Sequence, residues 1–279
     1  MSDKKVWFIT GCSSGFGRCL TEELLKKHQI VVATARNPKT LDDLLKQYPD
    51  QLLTLTLDVT KKSEIYNAVM AAMSKFGRID VLVNNAGYGI VGALEEASES
   101  DIKRIFDTNV FGLIEVTQAI LPIMRKQKSG NILNISSVAG FASLPGFGIY
   151  NSTKFAVVGL SEALYSEVLS FGIKVTIIEP GPFRTDFANR SLARTSEMSE
   201  YDQVLSMMRQ YTNNIDGKQP GDPVRAAKAM MTIVEMKNPP LRIPFGKMAV
   251  DRIMQKINSF TKDMKIHEKL IKETDFPEQ

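Results

Sequence analysis

Six short apolar runs, each followed by a segment of helical or irregular character, constrain this chain more than any other feature of its sequence. The runs span residues 6–10, 30–35, 52–57, 81–84, 131–136 and 174–179. They are apolar on both faces rather than alternating, which is the pattern of strands covered from two sides in a parallel sheet. Helical spacing falls at about residues 16–28, 41–48, 62–76, 99–127 and 150–170. Parallel strands joined by helical crossovers give an α/β fold, a doubly wound sheet with helices on both faces. Pro180-Gly181-Pro182 then stops the sixth strand. Asp222 is placed to cap a helix that starts at Pro223 and reaches about residue 236. Residues 241–244 read as a seventh strand, and a charged amphipathic helix follows to about residue 272. No stretch rich in Gly, Ser or Pro marks a second domain. Residues 1–279 are therefore expected to form one domain, with 1–185 as its core and 186–279 as a lid and C-terminal helices.

Composition narrows the function classes. The 35 basic and 31 acidic residues leave a net charge of +4, too small and too dispersed for a nucleic-acid-binding face. Cys12 and Cys19 stand in no metal-binding spacing, and His28 and His267 cannot complete a zinc site. Free thiols in a reducing compartment are the expectation, with no metal. Residues 1–5 run directly into Val6-Trp7-Phe8-Ile9, too short for a signal-peptide core, and no apolar run reaches the length of a membrane span. A cytoplasmic protein is expected. The lysines of 247–272 admit a membrane-surface helix, but Asp251, Asp263, Glu268 and Glu273 break up its positive face. A solvated helix packed on the sheet domain is the better reading.

Four motifs carry chemistry. Thr10-Gly11-Cys12-Ser13-Ser14-Gly15-Phe16-Gly17 follows the first strand and opens a helix. Gly11 permits a tight turn, Gly15 lets backbone approach a pyrophosphate, and Gly17 lets the helix pack close to the strand. The helix N-terminus offers N–H groups and a positive dipole end to phosphates. A turn with convenient glycines is the bland alternative. Tyr150 and Lys154, four residues apart, lie one turn apart on one helix face. An ammonium there can depress the tyrosine from its usual pKa of ~10. A surface helix pair competes with this, but Ser137 lies thirteen residues upstream at the carboxyl edge of the sheet, where open α/β sheets bind ligands. Asn84-Asn85-Ala86-Gly87 ends the fourth strand either as a ligand-facing turn or as a polar turn with a left-handed glycine. Asn109 sits inside a helical stretch that asparagine suits poorly, which suggests a kink or a hydrogen-bonding duty.

Taken in this order and spacing, Thr10–Gly17, Asn84–Gly87, Asn109, Ser137, Tyr150, Lys154 and Pro180-Gly181 resemble the short-chain dehydrogenase/reductase family over about residues 4–185. Residues 9–17, 34–36 and 84–92 are most similar to its hydroxysteroid and retinol dehydrogenase branch. The resemblance implies a single-domain Rossmann fold with a mostly parallel seven-stranded sheet. It implies that Tyr150 is the general acid in reduction and the general base in oxidation, with Lys154 lowering its pKa and holding the nicotinamide ribose. Ser137 would hydrogen-bond the substrate oxygen, and Asn109 would anchor a water in a proton relay. Gly11, Ser13, Ser14, Gly15, Phe16 and Gly17 would receive the phosphates. Asp58 and Val59 would meet the adenine, and Asn85, Ala86 and Gly87 the adenosine ribose. Pro180, Gly181 and Thr185 would lie at the nicotinamide. Dimers and tetramers are common in the family, and helices 99–127 and 150–170 are the surfaces to suspect.

Cofactor choice turns on the end of the second strand. An NAD enzyme wants a carboxylate there, whereas this chain has Thr34-Ala35-Arg36-Asn37, with its next acids at Asp42 and Asp43. Arg36 suits a 2′-phosphate, so NADP is expected over NAD, although Ser14 stands where many NADP users carry a basic residue. An Arg36 that only stacks on adenine, with no preference, is the alternative. Phe141, Leu144, Phe147, Tyr88, Phe183 and Phe187 could wall an apolar pocket. Met198, Met207 and Met208 are lid candidates, and Met230, Met231 and Met236 core positions. The expected activity is NADP(H)-dependent interconversion of a small hydrophobic ketone or aldehyde and its alcohol. A reductase of polar carbonyls, such as a sugar or keto-ester, and a non-catalytic dinucleotide sensor stay open beside it.

Overall fold

A computed structural model describes residues 4–276; residues 1–3 and 277–279 of the expected domain lie outside the described ones. In the first part of the chain, β1 (Val6–Ile9), β2 (Ile30–Ala35), β3 (Leu52–Thr56) and β4 (Val81–Asn84) alternate with α1 (Gly15–Lys26), α2 (Asp42–Gln47) and α3 (Lys62–Phe76). After a short β5 (Gly89–Val91) come α4 (Glu99–Phe106), α5 (Gly112–Gln127), β6 (Gly130–Ile135), α6 (Gly148–Val168) and β7 (Ile173–Pro180). Then follow α7 (Phe187–Arg190), β8 (Leu192–Arg194), α8 (Asp202–Asn214), α9 (Pro223–Glu235), β9 (Arg242–Phe245), α10 (Lys247–Ile266) and α11 (Glu268–Lys272).

Seven strands form the central sheet in the order β3-β2-β1-β4-β6-β7-β9, and every neighbouring pair is parallel. Along β1, Val6 and Phe8 face a layer built with Ile65, Val116 and Ile120 of α3 and α5, while Trp7 and Ile9 face one built with Leu20, Leu24 and Met230 of α1 and α9. Both faces of the strand are thus sealed, which is why its sequence is apolar without alternation. Burying each such side chain contributes roughly 1.5–3 kcal/mol. Asp222 caps α9 as expected, its carboxylate accepting from the N–H groups of Val224 and Arg225. Cys12 and Cys19 are free thiols, and burial pushes them up to about 12 and about 11.

Three features differ from the sequence reading. The stretch 99–127 is not one helix, because Asp107–Phe111 form a π-helical turn between α4 and α5. β5 and β8 pair as a separate parallel two-stranded ribbon, and at three residues each they are too short to show a period. The C-terminal helix does not pack along the sheet domain. Ala249 is the buried residue of α10, and Arg252 ties its base down by donating from Nη2 to the carbonyls of Ala142 (2.6 Å) and Ser143 (3.4 Å). Beyond that turn Ile257, Phe260 and Met264 fall on the same half of the helix as Ala249 and stay exposed.

At the sheet edge, Arg242 of β9 pairs with Glu179, buried on β7, at 2.5 Å and with Glu162 of α6 at 2.9 Å. Removing one partner of such a pair leaves a dehydrated charge behind. Arg242→Met is expected to lower stability by about 2–3 kcal/mol, its partial exposure discounting the cost of a fully buried pair. Urea unfolding at neutral pH checks this.

Candidate active site

The strand order sets the location. From β1 the chain winds outward through β2 and β3, then returns to β4 and winds the other way through β6, β7 and β9. The crevice outside the carboxyl ends at such a switch point is where open α/β sheets take ligands. Here it is a chamber of about 1010 Å³ that runs from Arg36 and Asp58, past the glycine loop, to Tyr150 and on toward α8.

The loop after β1 is held open by its neighbours. Asn85 donates from Nδ2 to the carbonyls of Thr10 (2.8 Å) and Gly11 (2.9 Å), while the Thr10 hydroxyl accepts from the backbone N–H of Asn85 and Ala86, each at 3.0 Å. A Cβ on Gly17 would lie 2.4 Å from the Gly11 carbonyl oxygen, so this glycine brings α1 against the loop. Gly15 has φ +57°, a conformation that favours glycine. Ser14 occupies the N-cap of α1 without a side-chain capping bond, which leaves the first-turn N–H groups to the chamber. This floor of small residues under a helix N-terminus fits a pyrophosphate. Of the residues expected at a dinucleotide, Gly11, Ser13, Ser14, Gly15, Phe16, Arg36, Asp58, Val59, Asn85, Ala86, Gly87, Tyr150, Lys154, Pro180, Gly181 and Thr185 all line the chamber, and Gly17 lies behind it. Thr185 stands across from Gly15, whose added Cβ would meet Thr185 Cβ at 3.5 Å.

At the Arg36 end of the chamber the charges are sorted. Burial would raise the Asp58 carboxyl, but the Thr60 N–H and hydroxyl donate to it and Lys61 and Arg36 attract it, so it falls below the ordinary carboxylate range. Asp43 is engaged by Arg18, whose hydrogen bond holds it low. Arg36 is exposed and forms no salt bridge among the described residues.

At the other end, Tyr150, Ser137 and Lys154 converge. Ser137 caps a short 3-10 turn, its hydroxyl accepting from the Ala139 N–H at 3.1 Å. Lys154 donates from Nζ to the Ile135 carbonyl at 2.9 Å and lies 5.8 Å from the centre of the Tyr150 ring. Burial pushes Tyr150 up to about 12, opposed by hydrogen bonding with Ser137, and the same burial pushes Lys154 down to about 8. The lowered tyrosine expected from the resemblance is therefore not produced by the chain alone. The ammonium that would lower it is itself dehydrated and turned toward Ile135.

Asn109 lies in the π turn, buried to 2% exposure. Its side chain spans Tyr88, accepting from the backbone N–H (3.0 Å) and donating to the carbonyl (2.8 Å), and also donates to the Thr153 hydroxyl (3.1 Å). This is the hydrogen-bonding duty that the sequence suggested. Gly87 makes room for it, since a Cβ there would meet Asn109 Oδ1 at 3.0 Å. Sequence reasoning named Thr10 and Asn84 only within their motifs, and it missed Thr153 and the buried chain Asn84–Asn134–Ser161 that locks β4, β6 and α6 together. A threonine beside the lysine, or an asparagine within an apolar strand, was the available signal.

The substrate side is apolar at its centre. Phe147 packs edge-on and Phe187 tilted against the Tyr150 ring, with ring centres 6.1 and 5.7 Å away. Leu144, Tyr88 and Phe183 also line the chamber, whereas Phe141 lies outside it under the Arg242 guanidinium at 4.8 Å. Met208 faces the chamber, but Met207 is 82% exposed and Met198 lies off it. Met230 is core and Met231 packs against it, while Met236 is 37% exposed beyond the end of α9. The segment that follows β7 is anchored from below. Glu96, with its side chain fully buried, receives the Arg209 guanidinium of α8, the N–H groups of Ala93 (2.8 Å) and Met198 (2.9 Å), and the Thr195 hydroxyl (3.0 Å).

A doubly wound sheet with a glycine loop at its switch point and a Tyr-Lys-Ser group at its carboxyl edge defines a class, the dinucleotide-fold oxidoreductases. Residues 5–196 match the family model described as short chain dehydrogenase. The chain belongs to the short-chain dehydrogenase/reductase family, whose members are oxidoreductases acting on carbonyl or alcohol groups. Oxidoreductase BOA17 of Botryotinia fuckeliana is 38% identical over 88% of this chain and 90% of its own. The 3-ketodihydrosphingosine reductase of Bacteroides thetaiotaomicron is 39% identical over 87% of this chain and 88% of its own. Among solved structures, a short-chain dehydrogenase from Streptomyces avermitilis superposes with a TM-score of 0.93 at 41% identity, over 98% of this chain and 100% of that one. A serine dehydrogenase complexed with NADP+ (TM-score 0.74, 28% identity, 86% and 94% covered) and a 3-ketoacyl-(acyl-carrier-protein) reductase from Brucella melitensis complexed with NADH (0.72, 26%, 87% and 98%) share the fold.

Burial alone would raise the Glu96 carboxyl, but its four donors prevail and hold it below the ordinary range. A depressed carboxylate contributes stability above its unfolded pKa and loses it as the pH falls through the folded value. Arg209→Met is expected to cost about 2–3 kcal/mol at neutral pH, and the gap from wild type should narrow below roughly pH 4. Thermal melts at the two pH values check both the size and the sign.

Proposed function

We propose that this enzyme interconverts a hydrophobic ketone or aldehyde and its alcohol with NADP(H), Tyr150 acting as general acid in reduction and general base in oxidation. The reading rests on one observation: Tyr150, Ser137 and Lys154 meet where the small-residue floor of the chamber gives way to the aromatic wall of Phe147 and Phe187. Binding alone does not require that group, which speaks against a dinucleotide sensor. The bound dinucleotide supplies the hydride in reduction and takes it in oxidation. The protein's own task is to place the substrate oxygen and handle one proton. Tyr150, pushed up to about 12 by burial, stands protonated at neutral pH and is a donor to the developing alkoxide. The Ser137 hydroxyl steadies the same oxygen. Lys154 holds the nicotinamide ribose, and its charge offsets the phenolate left when Tyr150 gives up its proton. Asn109 fixes the backbone at Tyr88 and anchors the relay water.

NADP is favoured over NAD because Arg36 is exposed at the chamber rim without a salt bridge, while Asp43 is already engaged by Arg18. A polar substrate is the second reading, favoured by one feature. The side-chain oxygens of Asn151 and Gln219 are buried without a partner among the described residues, and both residues line the chamber. They would accept from a hydroxyl or amino group carried near the reacting carbonyl. The name of the Bacteroides relative, a keto reductase, supports reduction as the working direction. No helix among the described residues is long and apolar enough to cross a membrane. Residence in the cytoplasm, in a homo-oligomer, completes the reading.

Tyr150→Phe is expected to lower turnover by about 10³-fold while dinucleotide affinity, read by fluorescence titration, stays within a few-fold. Comparable turnover in the variant would sink the assignment. With Lys154 pushed down to about 8, reductive turnover should decline as the pH rises through that value, and Lys154→Met should remove this limb of the profile. Arg36→Asp should reverse the ratio of NADPH to NADH affinity, and an unchanged ratio would refute the NADP reading.

A further inference from the structure

Among the described residues four arginines are at least partly buried, and three of them face carboxylates. Arg18 meets Glu22 and Asp43, Arg209 meets Glu96, Glu197 and Asp202, and Arg242 meets Glu162 and Glu179. The fourth, Arg252 in the second turn of α10, forms no salt bridge among the described residues; it donates from Nη2 to the carbonyls of Ala142 (2.6 Å) and Ser143 (3.4 Å). A guanidinium carries five N–H donors, and neutral carbonyls do not cancel its charge. Asp251 is the nearest acid along the helix, but it is exposed, and residues one apart do not face each other. The titratable group that acts on the guanidinium is the Tyr211 phenol of α8, which burial raises and so keeps neutral. Burial pushes Arg252 below its ordinary range. It acts the same way on Arg209 and Arg242, but their carboxylates outweigh it and hold both above theirs.

This uncompensated cation lines the same chamber as the reacting centre. Met208, Tyr211 and Met248 line it as well, and Leu144, Phe147 and Asn151 continue the wall to Tyr150. The chain limits how far apart the two ends lie. Ala142 is five residues beyond Ser137, and such a segment spans at most about 18 Å. Asn151, next to Tyr150, donates from Nδ2 to the Leu144 carbonyl at 3.2 Å. Arg252 and Asn151 thus hold the carbonyls of three successive residues, Ala142, Ser143 and Leu144. One small molecule can touch the guanidinium at one end and Tyr150 at the other. We infer that Arg252 receives a carboxylate of the substrate, carried at the far end of an apolar chain from the carbonyl that reacts at Tyr150. This rests on the proposed function and deepens it, naming the substrate class as an oxo acid or the matching hydroxy acid. The planar fork of a guanidinium matches a carboxylate with two parallel bonds. A single cation suits a single negative charge, where a phosphate brings nearly two. The methionine and aromatic wall between the two ends suits the chain that joins them. The carboxylate takes no part in hydride or proton transfer; it sets which carbonyl along the chain lies at Tyr150.

The test is reductive turnover, with NADPH, of straight-chain methyl-ketone acids of increasing length, each paired with its methyl ester. At the length that fits, kcat/KM for the acid is expected to exceed that for the ester by at least about tenfold, the smallest gain from a hydrogen bond to a charged group. The difference should lie in KM rather than kcat. In Arg252→Met the preference for the acid should vanish, whereas in Arg190→Met, which removes another arginine of the chamber lining, it should persist. A second measurement needs neither a variant nor turnover. With the dinucleotide site filled by NADP+, calorimetric titration of the wild type should show octanoate binding at least about tenfold more tightly than octanamide, its uncharged counterpart. Acids no better than their esters at every length overturn the proposal and leave the hydrophobic-carbonyl reading intact, and so does octanoate that binds no tighter than octanamide. A preference that survives in a folded Arg252→Met protein overturns the assignment to Arg252. Octanoate bound through Arg252 by a protein that turns over no ketone or aldehyde upholds the carboxylate site and overturns the proposed function instead.

Discussion

Every strand of the central sheet points the same way, and the rest of the molecule follows from that constraint. Parallel strands need crossovers, the crossovers put helices on both faces, and both faces of each strand become core. With its faces covered, the sheet can meet a ligand only at an edge, and the carboxyl ends of seven strands all open onto the same one. Chain reversal between β3 and β4 parts the neighbouring loops at that edge. The glycine loop after β1, Asn84–Gly87 after β4, Ser137 after β6 and Pro180-Gly181 after β7 come together there from positions far apart in the chain.

Within the chamber, burial acts on two ionisable groups in opposite senses. It disfavours the phenolate of Tyr150 and the ammonium of Lys154 alike, so each tends toward its neutral form. The lysine lies 5.8 Å from the centre of the tyrosine ring, and its ammonium donates to the strand-end carbonyl of Ile135. The chamber therefore holds a protonated phenol beside a dehydrated cation, each responsive to the next charge that enters. Glu96 follows the opposite strategy, surrounded by enough donors to keep its charge under cover.

Much of this was legible in the chain. The strands could be read because each is apolar on two faces, and the glycine loop because its spacing answers to a turn, a close approach and a packing contact. Tyr150 and Lys154 were found by helical spacing, and Asn109 because it is a poor helix former in a helical stretch. What could not be read arises between distant segments. The three-residue strands β5 and β8 are defined only by each other. The Glu96–Arg209 pair joins residues 113 apart, and neither residue looks unusual locally. The direction of the Tyr150 shift depends on how much of the chamber is dry, which no spacing encodes. The charged C-terminal helix showed its amphipathic pattern plainly, but a pattern says that a face needs cover without saying that the chain itself provides it.

The π turn at Asp107–Phe111 has a bearing on how this site can change over time. An inserted residue shifts the phase of everything after it by about 100°, so α4 and α5 are not one helix wheel but two. Deleting a residue there would restore an unbroken α-helix, better hydrogen-bonded and locally more stable. It would also swing Asn109 off Tyr88 and Thr153. The segment thus sets local stability against the integrity of the site, and a search for thermostable variants that repairs the helix is expected to trade activity for melting temperature.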